Sequence, residues 1–144
     1  MKNMIREYNQ SDAIDFIHLY IQSNSKGQDF YDPEFWKADS QTVVNEYLPL
    51  SKTWLYEKES KIIGAISLKD DEITGLIVSP NHWRQGIGRI LMNHVKKCKE
   101  QLCLKVFKKN VRALRFYQEN GFKIIKEGVC ELTGLEEYEM SWSV

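Results

Sequence analysis

The sequence predicts an α/β fold, a β-sheet with helices packed against it, and three observations carry that reading. Runs with an apolar period of two alternate with runs of helical period along the whole chain. Three successive β-rich runs, Thr53 to Lys58, Ile62 to Leu68 and Glu72 to Val78, are separated only by the polar turns Lys58-Glu59-Ser60-Lys61 and Lys69-Asp70-Asp71, the mark of an antiparallel meander. The last of these runs passes through Pro80-Asn81 and a glycine-punctuated loop, Arg84 to Gly88, into an amphipathic helix reaching about Lys99.

The elements follow in order. Met4 to Tyr8 alternates as a short first strand, and Ser11-Asp12 offers a cap for a helix carrying Ala13, Phe16, Ile17, Tyr20 and Ile21. Ser23 to Tyr31, rich in Ser, Asn, Gly and Gln, reads as an exposed loop. Asp32-Pro33-Glu34 starts a second helix, with Asp at the cap and Pro at the first helical position. Ser40 caps a further helical segment with Val43, Val44, Tyr47 and Leu48, which stops before Pro49. After the meander and the long helix, Leu102 to Phe107 alternates as a strand. Asn110 begins a helix bearing Ala113, Leu114, Phe116 and Tyr117, which Gly121 closes. Phe122 to Lys126 and Glu137 to Trp142 complete the sheet.

Composition narrows the function. At 144 residues, 42% of them hydrophobic and 28% charged, the chain suits one domain spanning 1–144 with a single buried core. It has no apolar run near the roughly 20 residues that span a bilayer, and its N-terminus lacks the apolar segment of a signal peptide, so a cytoplasmic location with no membrane partner is expected. Cys98, Cys103 and Cys130 form no Cys-x-x-Cys pair, and His18, His82 and His94 are scattered. Neither a metal site nor a disulfide framework is expected. The net charge of zero conceals a segregation. Residues 81–126 carry 12 Lys and Arg against Glu100 and Glu119, a balance of +10 that leaves −10 for the rest. A basic half suggests a polyanionic ligand. Nucleic acid competes for that reading, but the aromatics there keep helix-core spacing and no nucleic-acid motif is present.

The glycine loop is the place for such an anion. Gly86 and Gly88 let the main chain approach a ligand, and the unpaired amides and positive dipole end of the following helix favour a pyrophosphate. A dinucleotide fingerprint fails, because Leu91 stands where its third glycine belongs, and no Gly-Lys-Ser or Gly-Lys-Thr is present. A shorter, metal-free cradle remains.

Val78-Ser-Pro-Asn-His-Trp-Arg-Gln-Gly-Ile-Gly-Arg-Ile-Leu-Met92, followed by Asn110-Val-Arg-Ala-Leu-Arg-Phe-Tyr-Gln-Glu-Asn-Gly-Phe122, resembles the acetyl-coenzyme A signature of the GNAT superfamily of N-acetyltransferases. The ending Tyr138-Glu-Met-Ser-Trp142 is similar to that of a group of short bacterial members, some of which acetylate protein lysines. The resemblance implies a mixed, mostly antiparallel sheet of six to seven strands, splayed in the middle, bulged beside the cofactor and flanked by about four helices. It implies acetyl transfer from acetyl-coenzyme A directly to a primary amine: a protein lysine or N-terminus, or a small amine or amino-acid-like molecule. Two alternatives stay open, a non-catalytic acetyl-coenzyme A sensor and a nucleic-acid-binding module. The chain is expected to be a monomer or homodimer.

Laid on this sequence, the resemblance has the main chain of Ile77 and Val78 pairing with the pantetheine arm. The amides of Arg84, Gln85, Gly86, Ile87, Gly88 and Arg89 hold the pyrophosphate, with Arg84 or Arg89 near its charge. Asn110, beside Ala113, bonds the pantetheine or caps its helix, and Tyr117 lies near the thioester sulfur. Tyr117 is the candidate acid for the departing thiolate; the base is Glu72 or a water chain. Acceptor contacts fall to Tyr31, Phe35, Trp36 and Tyr138, with Glu131, Glu136, Glu137 and Glu139 drawing a cationic amine. The chain departs from the family at Trp83, where Arg or Gln is usual; the positive charge sits one place later, at Arg84.

Overall fold

Seven strands form one mixed sheet in the computed structural model, which describes residues 4–144. The strands are β1 (Met4–Glu7), β2 (Lys52–Lys58), β3 (Lys61–Lys69), β4 (Glu72–Val78), β5 (Gln101–Phe107), β6 (Lys123–Val129) and β7 (Glu136–Ser143). Their spatial order is β1-β2-β3-β4-β5-β7-β6, and every neighbouring pair is antiparallel except β4 with β5. Four helices join them: α1 (Ala13–Gly27), α2 (Pro33–Thr42), α3 (Ile87–Lys96) and α4 (Val111–Glu119).

The alternation of apolar residues builds a core on each face. Trp54, Ile66, Leu68 and Ile73 meet Ile87, Leu91, Met92 and Val95 of α3 and Tyr117 of α4. Leu55, Ala65 and Ile77 point the other way, onto Phe16 and Leu19 of α1 and Leu48.

The feature that makes a site is the parting of β4 from β5. These two strands pair only at Glu72 with Cys103 and Ile73 with Leu104, whereas β4 stays with β3 as far as Val78. Leu68 faces Ile73 and Ser67 faces Gly75, so Thr74 is an extra residue in β4. A bulge of this kind bends its strand and sharpens the local twist. Past it, β4 leaves β5, and a cleft opens in mid-sheet. The expected splay and bulge are both present.

Three local expectations are corrected. Residues 23–27 are not loop: α1 continues to Gly27 with Ser23 and Asn24 buried, because the Asn24 side chain is satisfied inside the helix, donating to Tyr20 O at 3.0 Å and accepting from Gln28 Nε2 at 2.7 Å. Ser40 caps nothing; it is buried within α2, donating to Lys37 O at 2.6 Å, and the helix runs on through a wide π-type turn, Val43–Tyr47, and a 3-10 turn, Leu48–Leu50. The first cap is Asn9, while Asp12 accepts two hydrogen bonds from Arg6, at 2.9 and 2.8 Å.

Gly64 in β3 sets how closely α3 approaches the sheet. A Cβ there would lie 3.0 Å from Ile87 Cγ2 and 3.1 Å from Leu91 Cδ1, both buried side chains. Gly64→Ala should therefore lower unfolding stability by about 1–3 kcal/mol through overpacking, measured by denaturant titration. An unchanged midpoint would show that α3 shifts freely.

Candidate functional site

The register of β4 decides which main-chain groups face the cleft. Ser79 N donates to Ile63 O at 2.7 Å, so Val78 and Gly64 form the non-hydrogen-bonded pair of the β3–β4 ladder and Ile77 pairs with Ala65. The polar groups of Ile77 are thereby used within the sheet. Leu76 and Val78, one residue to either side, turn their N–H and C=O to the parted side. Ile77, expected to offer its main chain to a cofactor, has those groups committed to β3, and the bulge at Thr74 leaves those of Leu76 facing the cleft. The Val78 carbonyl is itself occupied, accepting from Trp83 Nε1 at 2.8 Å.

At the start of α3 the loop is tightly curled, with Arg84 (φ 66°) and Gly86 (φ 81°) both left-handed. Arginine at such a φ is uncommon and marks a local constraint. Ile90 N closes the first helical turn on Gly86 O at 3.0 Å, and the amides of residues 84–89 make no hydrogen bond among the described residues. Unpaired helix-start amides with the positive dipole end are a ready anion site. A groove of about 730 Å³ runs from here along Val78 and Leu76 to α4, lined by Arg84, Arg89, Arg112 and Arg115 with Glu119 as its acid. None of these arginines is in a salt bridge among the described residues. Unpaired donors and uncompensated cations together fit a pyrophosphate.

A second compartment, of about 330 Å³, lies on the α1–α2 side of the parted strands, with Phe35, Trp36, Asp39, Gly75, Ile77 and Asn110 among its walls. The two compartments share Ser23, Leu76, Arg112, Ala113 and Tyr117. Tyr117 is 9% exposed, its ring held edge-on by Phe116 and Phe122 with centroids 5.5 and 5.8 Å away. Burial pushes its phenol up to about 12, with the Arg112 charge opposing. At neutral pH it is a proton donor at the junction. Beside it, Arg112 stacks on Trp83, its guanidinium 3.7 Å from the ring centroid, against Gly27 at the end of α1.

The other expected residues divide. Asn110 caps α4, its Oδ1 accepting from Ala113 N at 3.3 Å, and still lines the second compartment. Gly86, Ile87 and Gly88 line the groove; the side chain of Gln85 does not. Phe35 and Trp36 line the second compartment, and the Trp36 indole N–H is buried with no partner among the described residues. Tyr31 stands behind them, edge-on to both rings. Tyr138 lies under Lys108, whose Nζ is 5.0 Å from its centroid, and lines neither compartment. Glu72 lines neither as well, since it precedes the bulge, where β4 still pairs with both neighbours. Of the four glutamates expected to draw a cation, Glu137 lines the second compartment, whereas Glu136 holds Lys108 at 3.3 Å. Leu76, Arg112, Tyr20 and Asp39 join these residues without a sequence signal: an apolar strand position, one arginine of several and two ordinary helix positions carry none at short range.

Among the described residues no helix is long and apolar enough to cross a membrane. Residues 14–122 match the acetyltransferase (GNAT) family. The chain is 32% identical over 142 residues to a protein of Escherichia coli K12 named peptidyl-lysine N-acetyltransferase YiaC, covering 98% of this chain and 97% of that one. Its fold is that of apo YjaB from Escherichia coli, with a TM-score of 0.84 at 22% identity and 99% and 98% of the two chains covered. The PaiA N-acetyltransferase of Thermoplasma acidophilum, solved with coenzyme A, superposes over the full length of both chains with a TM-score of 0.84 at 19% identity.

Absorbance titration of tyrosinate in the wild type and Tyr117→Phe should differ by one group titrating near pH 12, above the usual value of about 10. A missing group near pH 10 instead would show that the phenol is not desolvated.

Proposed function

The chain belongs to the GNAT acetyltransferase family, and from that membership we propose how its cleft works. The protein is an N-acetyltransferase, and enzymes of this family take the acetyl group from acetyl-coenzyme A. Here the pyrophosphate rests on the amides of residues 84–89 with Arg84, Arg89 and Arg115 around it. The pantetheine arm adds to the open edge of β4 through Leu76 and the Val78 N–H. The amine of the acceptor lies in the second compartment, and the two substrates meet at Tyr117. One observation carries this reading: the parting of β4 from β5 lies next to a helix start whose amides are unpaired.

Acetyl-coenzyme A supplies an activated thioester. The amine nitrogen bonds to its carbonyl carbon, the carbon–sulfur bond breaks, and Tyr117 gives a proton to the departing sulfur. The proton that the amine must lose leaves through water in the acceptor compartment, which Glu72 does not line. The acceptor we propose is a lysine side chain of a protein, supported by the name of the relative at 32% identity.

Initial rates with acetyl-coenzyme A and a lysine peptide both varied should give intersecting double-reciprocal lines; parallel lines with an acetylated cysteine would replace direct transfer by a covalent route. Tyr117→Phe should lower kcat about 100-fold while leaving coenzyme A affinity within about twofold. A variant with wild-type kcat would remove Tyr117 from the proton transfer.

A further inference from the structure

We propose that Asp39, held by Tyr20, receives the ammonium of the acceptor, and that the apolar hollow beside it takes the acceptor's alkyl stem. The inference rests on the N-acetyltransferase reading and names the part of the cleft that selects the amine.

Asp39 lies on α2 and Tyr20 on α1, and both line two adjoining spaces. One is the compartment that Tyr117 closes. The other is a hollow of about 340 Å³ with Phe16, Val43, Leu48, Leu50, Ala65 and Ile77 in its walls. The two share Tyr20, Asp39, Thr74, Gly75 and Ile77, so they meet at the bulge of β4.

The carboxylate is half-buried and fixed. Tyr20 donates its phenolic hydrogen to Asp39 Oδ2, while the Tyr20 ring stacks on Phe16 and meets Trp36 edge-on, with centroids 6.2 and 6.3 Å away. The other oxygen, Oδ1, has no hydrogen-bond partner, and no cation lies within salt-bridge reach of Asp39 among the described residues. Lys69 lines the hollow, exposed at the end of β3; Lys105 and Arg112 line the compartment, with Glu137 opposite in sign. A half-buried carboxylate beside apolar walls, with one oxygen open to the cleft and no protein partner on it, favours a cationic ligand that brings its own hydrogens. A primary alkylammonium on a short apolar stem matches both features. Trp36, 4% exposed, is a further wall of the same compartment, its ring meeting Tyr20 edge-on. A purely structural Asp39 would need neither the open oxygen nor the hollow.

The test uses the full chain and paired peptides carrying lysine or norleucine, which share a stem and differ in the amine. With coenzyme A present to prevent turnover, calorimetry on the wild type should show the lysine peptide binding at least about tenfold more tightly. Equal binding overturns the proposal, however any variant folds. In thiol-release kinetics, Asp39→Asn should raise the KM of the lysine peptide at least about tenfold with the KM of acetyl-coenzyme A within about twofold, and Asp39→Glu should recover most of the loss. Norleucine-peptide inhibition should be equal in the wild type and Asp39→Asn. An unchanged lysine KM in Asp39→Asn, or norleucine inhibition weakened as much as lysine binding, overturns the proposal while leaving the enzyme an N-acetyltransferase. A wild type that acetylates no amine in a panel of lysine peptides, N-terminal peptides, polyamines and amino acids overturns both.

Discussion

An interior strand that loses one of its neighbours is the constraint on which the rest of this molecule depends. Backbone N–H and C=O groups away from water demand partners, and a sheet normally supplies them on both sides. Here the extra residue at Thr74 turns β4 away from β5 after only two paired positions. The edges of Leu76 and Val78 are left facing a cleft instead of a strand. An extended, amide-bearing chain is the natural occupant of such an edge, and the pantetheine arm is of that kind.

The surrounding elements are arranged about that gap. Gly64 lets α3 lie close on β3, which brings the helix start to the end of β4. Asn110 and Gly121 bracket α4 so that Tyr117 stands where the two compartments meet, and the amides of Gly121 and Phe122 bond back to Gln118 O and Tyr117 O at 3.1 and 3.0 Å, a Schellman ending. Trp83 modifies the arrangement. Its indole satisfies the Val78 carbonyl and its face carries Arg112, so a side chain bridges the loop before α3 to α4 over the shared wall of the two compartments. Where Arg or Gln is usual in the family, this chain has an aromatic post that positions an arginine from elsewhere.

Charge follows the same division. Four of the twelve cations in residues 81–126, all arginines without ion-pair partners among the described residues, line the groove, and the second compartment holds a carboxylate, Asp39, tied to a tyrosine. A polyanion and a cation would thus approach from opposite sides of one opening, which suits a reaction whose two substrates carry opposite charge.

Several elements are legible in the chain alone because short-range chemistry dictates them. The meander, the strand-loop-helix cradle at Gly86 and Gly88, the cap at Asn110 and the glycine stop at Gly121 each follow from a few adjacent residues, and all are present. The rest depends on parity and on distant neighbours. One extra residue at Thr74 exchanges the roles of Ile77 and Leu76, because successive residues of a strand face opposite ways. The same bulge leaves Glu72 in the paired part of the sheet. The polar run after Tyr20 stays helical because its side chains bond within the helix, and that continuation supplies Ser23 to the shared wall. Asp39 becomes a site residue only when α2 packs on α1 and brings it to Tyr20, a contact between residues 19 positions apart that no local pattern encodes.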